Sequence, residues 1–97
     1  MRRGAAADAG AAEQRQRIDL WLWHARVVRT RPAAASLATS GHVRVNGARI
    51  KAASREVRTG DVITVALDRA VRVLKVCGFA RVRGNAEAAS RLYVDLG

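Results

Sequence analysis

Ninety-seven residues carry 18 basic side chains against 8 acidic ones, a formal charge of +10 and a pI near 11.7. The hydrophobic share of 49% includes 20 alanines and leaves 23 Val, Ile, Leu and Phe, enough for one small core and too few for a catalytic domain beside it. A field this positive attracts nucleic acid or an anionic membrane surface whatever the fold, and a single cysteine, Cys77, excludes an internal disulfide.

Cys77 stands in an apolar run and reads as a buried small hydrophobe. His24, His42 and Cys77 are scattered without ligand spacing, so neither a metal nor a cofactor is expected. No stretch is long and apolar enough for a membrane span, and a cytoplasmic protein is the simplest expectation.

Residues 1 to 14 are alanine and glycine with a few charges and read as a disordered arm. Ile18, Trp21, Leu22, Ala25 and Val28 then recur at the helical period, with Asp19 placed as an N-cap. Continued at that period, Asp19, Trp23, Arg26 and Thr30 form a neighbouring strip, and His24 lies opposite the stripe, toward solvent. Trp23 and His24 are open to two readings, core-edge packing or stacking on an unpaired base. Arg26 is likewise either a phosphate ligand or a partner of Asp19.

Thr30 caps a second helix with Pro32 in its first turn, and Gly41 ends it. Arg29 and Arg31 flank that helix N-terminus, where backbone N–H groups, the positive dipole end and two guanidinium forks suit a phosphate. Asn46-Gly47 is the favoured pair for a two-residue hairpin turn. It sets Val45 opposite Ala48, Arg44 opposite Arg49 and His42 opposite Lys51. Like charges directly opposed cost stability, so this basic face either receives a polyanion or splays its side chains into water.

Residues 52 to 58 read as an irregular crossing segment before the turn at Thr59-Gly60-Asp61. In it Arg55 and Arg58 either extend the positive surface, to whose edge Arg15 and Arg17 also add, or lie in a solvated loop, the preferred reading. Asp61 to Leu67 is a β-branched strand that supports the hairpin. Val71 to Val76 is another, its slipped alternation suggesting a bulge or a two-sided inner strand, with Arg72 and Lys75 toward solvent. Phe79, Val82 and Tyr93 close the core, Arg81 to Gly84 is loop, and Asn85 caps a short helix running through Leu92.

Arg17-Ile18-Asp19, Leu22, Ala25-Arg26, Thr30-Arg31, Ala34, the run Gly41 to Gly47 and Gly60-Asp61 together resemble the RNA-binding domain named after small-subunit ribosomal protein S4. Within that superfamily, Asp19-Leu20-Trp21-Leu22-Trp23 followed by Ala25-Arg26 is similar to the fifteen-kilodalton heat-shock protein family, which binds the large ribosomal subunit. The resemblance implies an α+β fold in which two short N-terminal helices pack on a small, mostly antiparallel sheet, with a short C-terminal helix. Residues 15 to 67 form the S4-like core, and 68 to 97 complete the same domain.

The expected function is non-enzymatic binding of structured RNA through Arg17, Trp23, Arg26, Arg29, Thr30, Arg31, His42, Arg44, Asn46, Arg49 and Lys51. By resemblance the partner is rRNA of the large subunit carrying peptidyl-tRNA, in heat-shock or stalled-ribosome rescue, bound by a monomer. Members of that family continue into a longer helix and basic tail, which puts tight ribosome binding in doubt for a chain ending at Asp95-Leu96-Gly97. Two alternatives stand beside this: a general DNA-binding protein, since counterion release drives binding to either polymer, and the RNA-delivery module of an rRNA- or tRNA-modifying enzyme.

Overall fold

Ile18 opens the first helix directly from extended chain, and the backbone rather than a side chain caps it. The computed structural model describes residues 14–97, so the expected arm lies outside the described residues apart from Gln14. Strand β1 (Arg15–Arg17) runs straight into helix α1 (Ile18–His24). Two N–H groups of its first turn donate to the crossing segment, Ile18 to the Arg55 carbonyl at 2.7 Å and Asp19 to that of Ala53 at 3.3 Å. With those two donors satisfied by backbone, the Arg17 side chain makes no cap bond, and the next N–H, of Leu20, donates to Asp19 Oδ1 at 2.8 Å. Asp19 is therefore not the N-cap; Arg17 occupies that position, and Asp19 lies inside the first turn, buried.

The apolar stripe Ile18, Trp21, Leu22, Ala25 and Val28 is buried as its period requires. The helix stops sooner than the continued strip supposed. Arg26 takes a left-handed φ of 60°, its N–H donates to the Trp23 carbonyl, and that of Val27 donates to Leu22 at 3.0 Å. This is a Schellman ending with arginine where glycine is usual. Arg26 and Thr30 consequently leave the face that holds Asp19 and Trp23.

Thr30 caps helix α2 (Arg31–Thr39) through its side-chain oxygen, which accepts from Ala33 N–H at 3.1 Å. Ala34 and Ala38 are buried and let α2 lie close on α1. Gly41, at φ 86°, ends the helix while His42 N–H donates back to Leu37. Strands β2 (Val43–Val45) and β3 (Ala48–Arg49) then meet around Asn46 and Gly47, whose φ values of 52° and 85° make the type I′ turn. The register holds, with Val45 opposite Ala48 and Arg44 opposite Arg49. The ladder ends there, before His42 and Lys51.

The crossing segment contains a strand that its sequence hid. Strand β4 (Glu56–Arg58) pairs antiparallel with β1 in a separate two-stranded ladder, burying Val57. Strands β5 (Val62–Ala66), β6 (Val71–Val76) and β7 (Tyr93–Asp95) complete a five-stranded antiparallel sheet in the order β3-β2-β5-β6-β7, with helix α3 (Ala86–Ser90) before the last strand. Strand β7 is an addition, since the short helix ends before Leu92.

Pairing runs unbroken from Val62 opposite Lys75 to Ala66 opposite Val71, so β6 carries no bulge. Val43, Val45, Ile63, Val65, Leu74 and Val76 share the inner face, all buried. Arg72 falls in the same phase at the sheet margin. It reaches Asp95 at 3.2 Å and lies 5.4 Å over the Tyr93 ring rather than in solvent. Lys75, in the outer phase, is exposed.

Cys77 is exposed, because β6 ends at Val76 and the chain turns out to meet Leu92. Val82 is exposed too, whereas Phe79 and Tyr93 pack on the core, Tyr93 edge-on to Trp21 with centroids 6.5 Å apart.

Segment 78 to 84 binds the far side of α1. Gln16 donates to the Ala80 carbonyl, Trp21 Nε1 to Gly78 and Arg26 Nη1 to Gly84, at 2.9, 3.0 and 2.8 Å. In return Arg83 donates through Nε to Trp23 and through Nη2 to Val28, so a cation caps the C-terminal end of α1. Its guanidinium also sits 6.0 Å from the Trp23 ring centroid. This packing buries His24, correcting its solvated reading: it is 3% exposed, with Nδ1 unpartnered among the described residues.

Two predictions follow from this side of the molecule. Arg83→Ala, which removes two hydrogen bonds from a charged donor, lowers unfolding free energy in urea by about 1.5 to 3 kcal/mol, while the exposed Arg81→Ala changes it by less than about 0.5 kcal/mol. Burial lowers the His24 pKa, against a raising backbone contact at Ala80, with Arg31 and Arg83 lowering it further. The unfolded chain therefore takes up a proton first as pH falls below about 6.5. Stability declines from there toward the folded pKa, with a slope of at most about 1.4 kcal/mol per pH unit. His24→Gln removes that part of the slope in melts between pH 7.5 and 5.

Candidate nucleic-acid interface

Asp19 is the centre of the first basic group. Arg17 approaches it with a two-pronged fork, Nε to Oδ1 at 3.1 Å and Nη2 to Oδ2 at 3.0 Å, and Arg31 Nε lies 3.6 Å from Oδ2. The carboxylate is 3% exposed, whereas the two arginine side chains keep 45% and 44% of their surface. A buried anion thus fixes the inner edge of each guanidinium and leaves the outer edge to solvent. One arginine ends β1 and the other begins α2, so the pairing also places them beside the N–H groups at the start of a nine-residue helix. Arg29 and Thr30 precede it, both exposed.

The second group stands at the other end of α2, about 13 Å along the axis at 1.5 Å per residue. Arg44 and Arg49 are opposed on the outer face of the hairpin, and both are exposed. Arg49 lies across Gly41, where an added Cβ would meet its Cδ at 3.4 Å. Arg44 Nη1 makes one long bond, 3.4 Å, to the Gly47 carbonyl. His42 is turned toward Ser40, with Nδ1 2.7 Å from Oγ. Lys51 is exposed just past the ladder.

The outer face continues from Arg49 and Arg44 across Val62, Thr64 and Ala66 to Val71, Val73 and Lys75, then to Val94. Among the described residues that face carries three cations, Arg44, Arg49 and Lys75, and no carboxylate. A polyanion meets no repulsive group along it.

Of the sequence candidates, Arg17 and Arg31 come together on Asp19, and Arg44 and Arg49 on the hairpin. Arg26 is drawn away to Gly84, and its other reading, a pair with Asp19, is not formed. Trp23 is half buried between His24 and Arg83. Asn46 spends both amide atoms on the fold, Nδ2 to Asp61 at 3.1 Å and Oδ1 from Val62 N–H at 2.9 Å. Sequence reasoning passed over Asp19 as the organiser of the site, because a carboxylate early in a helix reads first as a cap. It placed Arg15 on the basic edge and preferred a solvated loop for Arg58, but missed that the two are opposed across β1 and β4, whose only signal is alternation across two three-residue strands.

Comparison with known proteins agrees with this geometry. The S4 domain model matches residues 16–63. A heat shock protein 15 homolog from Haemophilus influenzae is 33% identical over 84 residues, 87% of this chain and 63% of that protein. Small ribosomal subunit protein uS4 of Beijerinckia indica is 42% identical over 50 residues, 52% of this chain and 24% of uS4. Among solved structures, trimeric heat shock protein 15 of Vibrio cholerae superimposes with a TM-score of 0.78 at 32% identity, covering 84% of this chain and 82% of that one. The S4 domain match, together with 32% identity to the Vibrio cholerae protein across 82% of its length, shows that this chain belongs to the S4 domain family and, within it, to the heat shock protein 15 group.

Proposed function

We propose that this protein binds structured RNA without catalysing a reaction, and that its target is rRNA of the large ribosomal subunit carrying peptidyl-tRNA on a stalled ribosome. The observation that carries the RNA reading is Arg44 opposite Arg49 on a carboxylate-free sheet face, one helix length from the Arg17 and Arg31 pair. Opposed cations cost stability in the free protein, and a phosphate chain laid across them removes that cost. The S4 domain match and the ribosomal protein uS4 support an RNA or ribosomal partner, and the large-subunit target follows from the resemblance to the fifteen-kilodalton heat-shock family. Recognition here rests on phosphate path and shape, since folded RNA hides its paired base edges. Action as a monomer in the cytoplasm is part of the same proposal, whereas the solved Vibrio cholerae relative is trimeric.

Sedimenting a cell extract through a sucrose gradient tests the target: the protein travels with the large subunit, and more of it after translation is stalled. Travel only with free nucleic acid would sink the ribosomal reading. Competition between structured RNA and duplex DNA at physiological salt separates the general DNA-binding alternative, for which the two compete equally.

Arg31→Ala and Arg44→Ala each weaken RNA binding and lower the slope of log affinity against log salt by about one, and Arg91→Ala on α3 does neither. Asp19→Asn raises the net charge by one, which on charge alone strengthens RNA binding. Because it releases Arg17 and Arg31 from their fixed positions, we expect weaker binding instead, measured by filter retention.

A further inference from the structure

The cross-strand pair Arg15 and Arg58 is not used by the site just described. It lies in β1 and β4, a ladder only three residues long, with the two arginines in direct register. Like charges so placed oppose the pairing that holds the ladder together. Between this ladder and the hairpin turn is a polar cleft of about 540 Å³, which Arg15 and Arg58 line together with Arg55, Thr59 and Asn46. Three arginines therefore line one recess.

Two carboxylates share the lining, and their partners differ. Asp61 is engaged by the fold, accepting from Arg58 N–H at 2.9 Å and from Asn46 Nδ2 at 3.1 Å. Glu56 approaches Arg15 only at 4.0 Å, with both side chains about half exposed. An exposed pair at that distance is weak and readily displaced. Three cations against two anions leave one positive charge in excess, which matches the single negative charge of a phosphodiester.

We propose that this cleft is a second phosphate site, in which Arg15 and Arg58 together hold one backbone phosphodiester of the RNA that crosses the hairpin. The inference rests on the RNA-binding reading and extends its footprint past the Asn46-Gly47 turn onto the β1–β4 ladder. Thr59 supplies a hydroxyl donor at the same recess, and Arg55 a third cation. Glu56 acts against binding, because it competes with the phosphate for Arg15.

The test uses the full chain and deproteinised large-subunit rRNA, titrated between about 50 and 200 mM salt. Arg15→Ala, Arg58→Ala and the double variant each lower the salt slope by about one, since all three remove the same phosphate contact. Glu56→Gln tightens binding about two- to five-fold, the reach of one exposed pair, and this gain cannot arise from misfolding. A double variant that loses about two, slopes unchanged in all three arginine variants, or no gain in Glu56→Gln overturns the shared site. If those variants are silent while Arg31→Ala and Arg44→Ala lose their contacts, only the cleft is refuted. If the wild-type chain shows no salt-dependent RNA binding, the RNA reading falls and this inference with it.

Discussion

A carboxylate buried at the start of a helix needs compensating charge, and in this molecule that requirement arranges the surface. Asp19 is removed from water by the packing of α1, and leaving it unpaired there would cost several kcal/mol. Arg17 and Arg31 supply the compensation from two different elements. The same contacts that neutralise the anion hold two guanidinium groups at a fixed separation beside the start of α2. Stability and presentation of the site thus share one origin. A long flexible arginine on an open surface would lose rotamer freedom on meeting a phosphate, whereas these two have already lost part of it on folding.

The hairpin works differently. Its geometry comes from the backbone, with left-handed Asn46 and Gly47 setting the register that puts Arg44 opposite Arg49. Asn46 then ties the turn to β5 through Asp61 and Val62, so the tip is braced against the sheet. Gly41 allows the Arg49 stem to lie over the end of α2. The first basic group is held by an ion pair and the second by main-chain geometry. The two ends of α2 therefore differ in how they respond to salt, which screens the repulsion between the exposed Arg44 and Arg49 and reaches the pairs on the buried Asp19 carboxylate much less.

Features encoded by short-range pattern were legible in the sequence. The core stripe of α1, the Thr30 cap, the glycine after α2 and the Asn-Gly turn with its opposed arginines depend on residues within a turn or two of one another. What escaped the reading depends on distant partners. Strand β4 is visible only beside β1, about forty residues earlier. His24 looks solvated on a helical wheel and becomes buried because segment 78 to 84 returns to that side. Arg72 reads as solvent-facing until Tyr93 and Asp95 are placed next to it. Cys77 stands in an apolar run, but the strand ends one residue before it. Basic residues were the hardest to sort, since the sequence gives the same letter to an arginine that caps a helix, one that shields an aromatic ring and one that awaits an anion.

The return of segment 78 to 84 to the end of α1 bears on how the protein can be divided. The family pattern stops in β5, yet the corner between the two helices is fastened by Arg83 and by the carbonyls of Gly78, Ala80 and Gly84. A fragment cut to the borders of that pattern would keep Arg17, Arg31, Arg44 and Arg49 while losing Arg15 and the clasp behind them. The smallest autonomous piece is therefore larger than the recognisable motif, and transplanting the motif alone into another scaffold would carry over its charges without their spacing.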